Sequence, residues 1–190
     1  ATVHIAGMGL YELFINGQRI GEQVLAPAPT DYRKTILYNT YDVTPQLQKE
    51  NAIGVILGNG RLYTMRQNYK PYKIPTFGYP KLRLNLIVEY TDGSRQTIAS
   101  DISWKLTTEG PIRSNNEYDG EEYDARKELG DWNRTGYDDT NWIPAGRVSI
   151  PSGTLRAQMM PGMKVTESLK PVSIRKQGDK QILDIGQNMA

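Results

Sequence analysis

Apolar and polar residues alternate with a period of two over most of the chain. Leu82, Leu84, Leu86, Val88 and Tyr90 alternate with Arg83, Asn85, Ile87 and Glu89. That is the pattern of a strand with one face in a core and the other toward water. Asp92-Gly93 follows, a dipeptide whose residues both tolerate the positive φ of a hairpin turn, and Arg95–Ala99 reads as the returning strand. A second hairpin is predicted near the start. Tyr11, Leu13 and Ile15 share a face, Asn16-Gly17 turns the chain, and residues 19–25 return. Further strands are expected at 36–41, 52–57, 103–106, 163–174 and 180–185.

Helical periodicity is weak. Thr44-Pro45 followed by Gln46-Leu47-Gln48-Lys49 predicts one capped turn, with Thr44 as N-cap and Pro45 at the first helical position. Eighteen Gly and 11 Pro punctuate the remainder. Many short strands between close turn signals point to an all-β fold, a jelly-roll β-sandwich or a related sandwich. The stretch 144–153 is the expected boundary. It divides a sandwich module over 1–150 from a linker and C-terminal strand pair over 151–190.

Composition narrows the chemistry. The 190 residues hold 23 basic and 21 acidic side chains, a formal net charge of +2. So even a balance argues against a general binder of nucleic acid or membrane surfaces. Cys is absent, which excludes a disulfide framework, a thiolate metal site and a cysteine nucleophile. The single His, His4, excludes a His-rich metal site, and its place near the terminus predicts a solvated ring. Twelve Tyr and 3 Trp against 2 Phe favour half-buried or ligand-facing aromatic surfaces, since Tyr and Trp join a polar handle to an apolar body. No run approaches the roughly 18 apolar residues of a membrane span. The first residues carry no initiator Met and no apolar signal core, so the chain is expected to be a piece of something longer.

Charge is segregated along the chain. From Asn51 to Val88 there is no acidic residue, and Arg61, Arg66, Lys70, Lys73, Lys81 and Arg83 interleave with Tyr63, Tyr69, Tyr72, Phe77 and Tyr79. From Glu117 to Asp139 nine acidic residues face three bases. The basic-aromatic stretch fits three readings: single-stranded nucleic acid, sugar or partner contact through Tyr rings, and a structural loop covering one end of a sandwich. The segment from Asn115 to Asp124 is dense in oxygen ligands. It fits calcium or sugar ligation, a carboxylate pair for glycoside hydrolysis, or a turn whose carboxylates pair with Arg. Gly7-Met8-Gly9 and Gly58-Asn59-Gly60 lack a following helix start and read as turns.

Several of these segments resemble one family. Residues Gly9-Leu10-Tyr11-Glu12-Leu13-Phe14-Ile15-Asn16-Gly17 are similar to the opening of the N-terminal β-sandwich module of bacterial α-L-rhamnosidases. So are Leu25-Ala26-Pro27 with Thr30-Asp31-Tyr32-Arg33, and Leu57-Gly58-Asn59-Gly60. Gly110-Pro111-Ile112 and Tyr118-Asp119-Gly120-Glu121-Glu122-Tyr123-Asp124-Ala125-Arg126 resemble its most specific stretch. Trp132, Gly136-Tyr137-Asp138-Asp139 and Trp142 resemble a signature of galactose-binding-domain-like jelly rolls. Asp184-Ile185-Gly186-Gln187-Asn188 is similar to the start of a following lectin-like β-sandwich.

The resemblance implies a noncatalytic module of a multidomain glycoside hydrolase whose acid and base lie in a separate helical barrel. It implies support of that catalytic domain, with recognition of rhamnose-terminated glycans; the alternative is a structural interface module without a sugar site. The sugar-contact residues it implies are Asn68, Asn116, Tyr118, Asp119 and Glu121, with Tyr69 or Tyr72 as stacking platforms. Some relatives bind rhamnose through calcium. The matching positions here are Asn68 and Asn116 (or its neighbour Asn115), but Gln67 stands where an Asp is expected. Calcium affinity follows ligand charge, so weak or absent metal binding is expected. No other cofactor, no nucleic acid and no membrane partner is expected, and the expected compartment is periplasmic or extracellular.

Overall fold

The computed structural model describes residues 1–63, 77–117 and 120–188. Its main body is two packed β-sheets. β1 (Thr2–Met8), β4 (Thr35–Asp42), β6 (Lys81–Glu89), β7 (Arg95–Ala99) and β12 (Thr154–Ala157) form a five-stranded sheet in the order β12-β4-β1-β6-β7. β2 (Leu10–Ile15), β3 (Gln18–Ile20) and β5 (Ile53–Gly58) form a three-stranded sheet in the order β3-β2-β5. Shorter pairs join β8 (Lys105–Leu106) to β11 (Ile143–Pro144), β9 (Ile112–Asn116) to β10 (Gly120–Tyr123), and β13 (Ser173–Gln177) to β14 (Lys180–Asp184). Among the described residues the helices are two single 3-10 turns, Thr44–Gln46 and Ala125–Lys127. The chain is the all-β sandwich that its alternation predicts.

Alternation decides which side chains meet between the sheets. Val3 and Ile5 of β1 and Leu84 and Leu86 of β6 pack against Tyr11, Leu13 and Ile15 of β2 and Ile20 of β3. One polar group is carried into this core. Asn39 is buried, and its Oδ1 accepts a 2.8 Å hydrogen bond from the Tyr11 hydroxyl, which also lies 3.0 Å from the Tyr41 hydroxyl. Burial, reinforced by Tyr41, pushes the Tyr11 phenol far above its ordinary value. A second, smaller core forms on the opposite face of the large sheet, where Ala6, Met8 and Ile36 are covered by Tyr32, Leu62 and Phe77.

The Asn16-Gly17 hairpin forms as predicted, with φ of 52° and 80°. The Asn16 side chain fixes it to the next strand, accepting from Ala52 N–H at 2.9 Å and donating to the Gln46 carbonyl at 2.9 Å. At Asp92-Gly93 only Gly93 has positive φ, and Asp92 Oδ1 instead accepts from Ser94 N–H at 2.8 Å.

Other expectations are corrected. The returning strand expected over 19–25 is Gln18–Ile20, because Gly21 and Leu25 adopt positive φ and turn the chain out of the sheet. The strand expected over 163–174 is reduced to one bridge, Gln23 with Lys164, before β13 begins. Thr44 is not an N-cap. It lies inside the turn, and Asp42 Oδ1 accepts from its backbone N–H at 3.0 Å. His4 is a half-buried residue of the central strand, with Nδ1 3.0 Å from Thr40 Oγ1. Residues 154–157, expected in the linker, form a parallel strand against β4, and Val24 N–H reaches the Met163 carbonyl at 2.9 Å.

Candidate functional site

The resemblance points to one end of the sandwich, where β5 runs out into Gly58-Asn59-Gly60. Two glycines make this turn feasible. Gly9 has φ of 100°, and a Cβ there would lie 2.3 Å from the Gly58 carbonyl oxygen. Gly60 also has positive φ and packs against Leu10 and Gly9. Leu62, fully buried in the second core, anchors the chain after the turn, and its carbonyl accepts from Phe77 N–H at 3.0 Å. Tyr32, packed edge-on to Phe77, accepts from Gly9 N–H at 3.3 Å, and burial raises its phenol.

The β9–β10 hairpin is tied to this turn at two points. Asn59 N–H donates to Asn115 Oδ1 at 2.7 Å, and Asn59 Nδ2 donates to the Asn115 carbonyl at 2.8 Å. Two residues further along each segment, Arg61 and Glu117 form an ion pair at 2.7 Å. The basic and acidic stretches of the sequence therefore meet here. The pair is partly exposed, so it contributes little stability. Its consequence is positional: the end of β9, through Glu117, is held beside the turn. Just after the turn Tyr63 stacks on Tyr79, with centroids 5.1 Å apart and an interplanar angle of 25°, and Tyr79 is largely exposed.

The predicted residues fall as follows. Asn68, Tyr69, Tyr72, Tyr118 and Asp119 lie outside the described residues. Asn116 ends β9 opposite Gly120, and the exposed Glu121 sits opposite Asn115. Asn116 and Glu121 are thus diagonal neighbours across the ladder and not a facing pair. Asn115, the alternative ligand position, is engaged by Asn59 through both its side-chain and backbone oxygens. The Glu117 carboxylate is neutralised by Arg61, and among the described residues no group of three or more His, Asp or Glu gathers.

Sequence reasoning missed Asn59 as a fastening residue, the Arg61–Glu117 pair, and Tyr63 with Tyr79 as a stack. The signals were present: an Asn between two glycines, and two blocks of opposite charge. What was lacking is the pairing of positions 56 residues apart.

The fold and this site define an all-β sandwich module with a hairpin fastened across one end. Residues 1–167 match the Alpha-L-rhamnosidase N-terminal domain family. The chain is 41% identical over its whole length to an Alpha-L-rhamnosidase of Formosa agariphila, of which it covers 20%, and 36% identical to one of Streptomyces avermitilis, of which it covers 18%. Among solved structures, the α-L-rhamnosidase from Dictyoglumus thermophilum aligns with a TM-score of 0.87 and 44% identity over 98% of this chain and 20% of that one. The Streptomyces avermitilis enzyme complexed with L-rhamnose aligns with a TM-score of 0.89 and 33% identity over 99% and 18%. The chain belongs to the α-L-rhamnosidase N-terminal domain family, and it spans about a fifth of the length of these relatives.

Proposed function

We propose that this chain is a noncatalytic accessory domain of an α-L-rhamnosidase and contacts rhamnose-terminated glycans at the end of the sandwich just described. The observation that carries this reading is the double Asn59–Asn115 hydrogen bond, which fastens the β9–β10 hairpin to the turn that leads into Tyr63 and its stack on the exposed Tyr79. Amide and carboxylate oxygens suit sugar hydroxyls, and an exposed Tyr ring suits the apolar face of a sugar. The L-rhamnose complex of the Streptomyces avermitilis relative favours the same ligand class.

The test is a titration of the folded protein with L-rhamnose, with calcium and with a chelator, read by calorimetry or chemical shifts. Saturable binding at millimolar sugar, insensitive to the chelator, is expected, and Asn59→Ala should weaken it about tenfold. A flat titration overturns sugar recognition. Release of product from an aryl rhamnoside by this chain overturns the noncatalytic reading. A second reading, docking of other domains of the parent enzyme, is favoured by one specific observation. Many large apolar side chains between Ile143 and Leu183 are exposed, Met159, Val165 and Val172 among them.

A further inference from the structure

The outer face of the five-stranded sheet is not fully covered by the second core. Past Ala6, toward the start of β1, it opens into a groove of about 290 Å³ lined by His4, Ala6, Tyr38, Arg83, Asn85 and Leu155. The floor is low because Ala6 stands between taller neighbours, Arg83 directly across the ladder and Tyr38 on β4. A second depression of about 280 Å³ adjoins it and shares His4, reaching Ala1, Ile87 and the Glu89–Arg95 pair. Together they make one trough that follows β1 from Thr2 to Ala6. At 3.3–3.4 Å per residue this is about 13 Å, longer than a single sugar ring. It runs away from Gly9 and the Asn59 turn.

The lining has a defined chemistry. His4 is oriented by Thr40 through Nδ1 at 3.0 Å and meets the Tyr38 ring edge-on at 5.9 Å. Asn85 lies across the ladder from His4 and offers an amide. The charges on the face are unequal. Arg95 is paired with Glu89, whereas among the described residues no carboxylate pairs with the exposed Arg83. A guanidinium without a carboxylate, in a row with an aromatic ring and neutral hydrogen-bonding groups, is complementary to an anion carried on a hydroxyl-rich chain. Leu155 of β12, half exposed, forms an apolar rim.

We propose that this trough binds an acidic oligosaccharide, with a uronate carboxylate on Arg83, a sugar ring against Tyr38 and hydroxyls on His4 and Asn85. The proposal shares with the rhamnose reading only its class of ligand, and each can fail alone. The probe is tri-galacturonate, with its methyl ester as a skeleton of the same shape lacking the charges. Both are titrated into the protein, followed by NMR or calorimetry, with saturating L-rhamnose present and absent. Tri-galacturonate is expected to bind, to survive excess L-rhamnose, and to exceed its methyl ester by about tenfold or more. Arg83→Gln should abolish that difference while leaving the unfolding midpoint unchanged, because the side chain is exposed. Tyr38→Ala should weaken both probes. A flat tri-galacturonate titration, equal binding of acid and ester, an unaffected Arg83→Gln variant, or displacement by L-rhamnose would each overturn the trough. Binding of tri-galacturonate beside a flat L-rhamnose titration would support the trough and sink only the hairpin site.

Discussion

Six aspartates share one local geometry. In Asp31, Asp42, Asp92, Asp101, Asp124 and Asp138 the carboxylate Oδ1 accepts the backbone N–H two residues on, at 2.8–3.1 Å. Residue i+2 is Arg, Thr or Ser each time, and its side chain bonds the same carboxylate. These side-chain bonds are the main reason all six carboxyls lie below their usual range, and Arg33 takes Asp31 down to about 2. Hydrogen bonding favours the ionised form in the folded chain. The resulting stability is present above the unfolded value near 3.8 and is lost as pH falls through the folded value. The urea midpoint should therefore fall with each step from about pH 4 toward pH 2. Asp31 and Asp124 are half-buried and the other four exposed, so each contribution is small. Asp31→Asn keeps an acceptor but removes the titration, and should flatten the part of the decline near pH 2–4. An identical decline in that variant would exclude Asp31 as a source. This motif is legible as Asp-x-Ser/Thr/Arg in the sequence, because it depends on neighbours alone.

At the scale of strands, legibility depends on how many faces are buried. β6 was readable because Leu84 and Leu86 are buried while Arg83 is exposed. β1, the central strand, was missed. Its residues 5–8 are buried on both faces, so Ile5-Ala6-Gly7-Met8 shows no alternation, and Ala and Gly carry little strand signal. The candidate site was half legible for a related reason. Asn116 and Glu121 sit in a local hairpin, whereas the Asn59–Asn115 bond joins distant segments. The same limit hid the Tyr11–Asn39 bond, which pairs one sheet with the other across 28 residues of chain. Tyr11→Phe leaves Asn39 buried without that donor. It should cost about 1–3 kcal/mol, read as a lowered urea midpoint. Replacing Asn39 by Leu in the same variant should recover part of the loss, since the orphaned acceptor is then gone. A Tyr11→Phe variant as stable as the parent would remove this bond from the account of how the sheets are joined.

For the whole molecule, the question is where the folded unit ends. Twelve large apolar side chains from Ile143 to Leu183 are exposed, and the β13–β14 hairpin buries none of its residues. An isolated two-stranded hairpin is marginal in water, so this one adds little to the sandwich as it stands. The segment before it is different. β12 completes the large sheet, Gln158 Oε1 accepts from Ala28 N–H at 3.0 Å, and Lys164 pairs with Glu22 at 2.7 Å. The family match also runs to residue 167. A chain of residues 1–167 should therefore unfold at nearly the same urea midpoint as residues 1–190. A chain of residues 1–150 should unfold earlier, because losing β12 strips the edge of β4, where Ile36 and Leu37 are buried. If residues 1–150 match the longer chains, the sandwich is complete at the division expected from sequence and β12 is an appendage. If removal of 168–190 costs as much as removal of β12, the hairpin belongs to this unit after all. The expected order leaves the hairpin and its apolar surface free to meet a neighbouring domain, which is where the docking reading of this chain would be tested next.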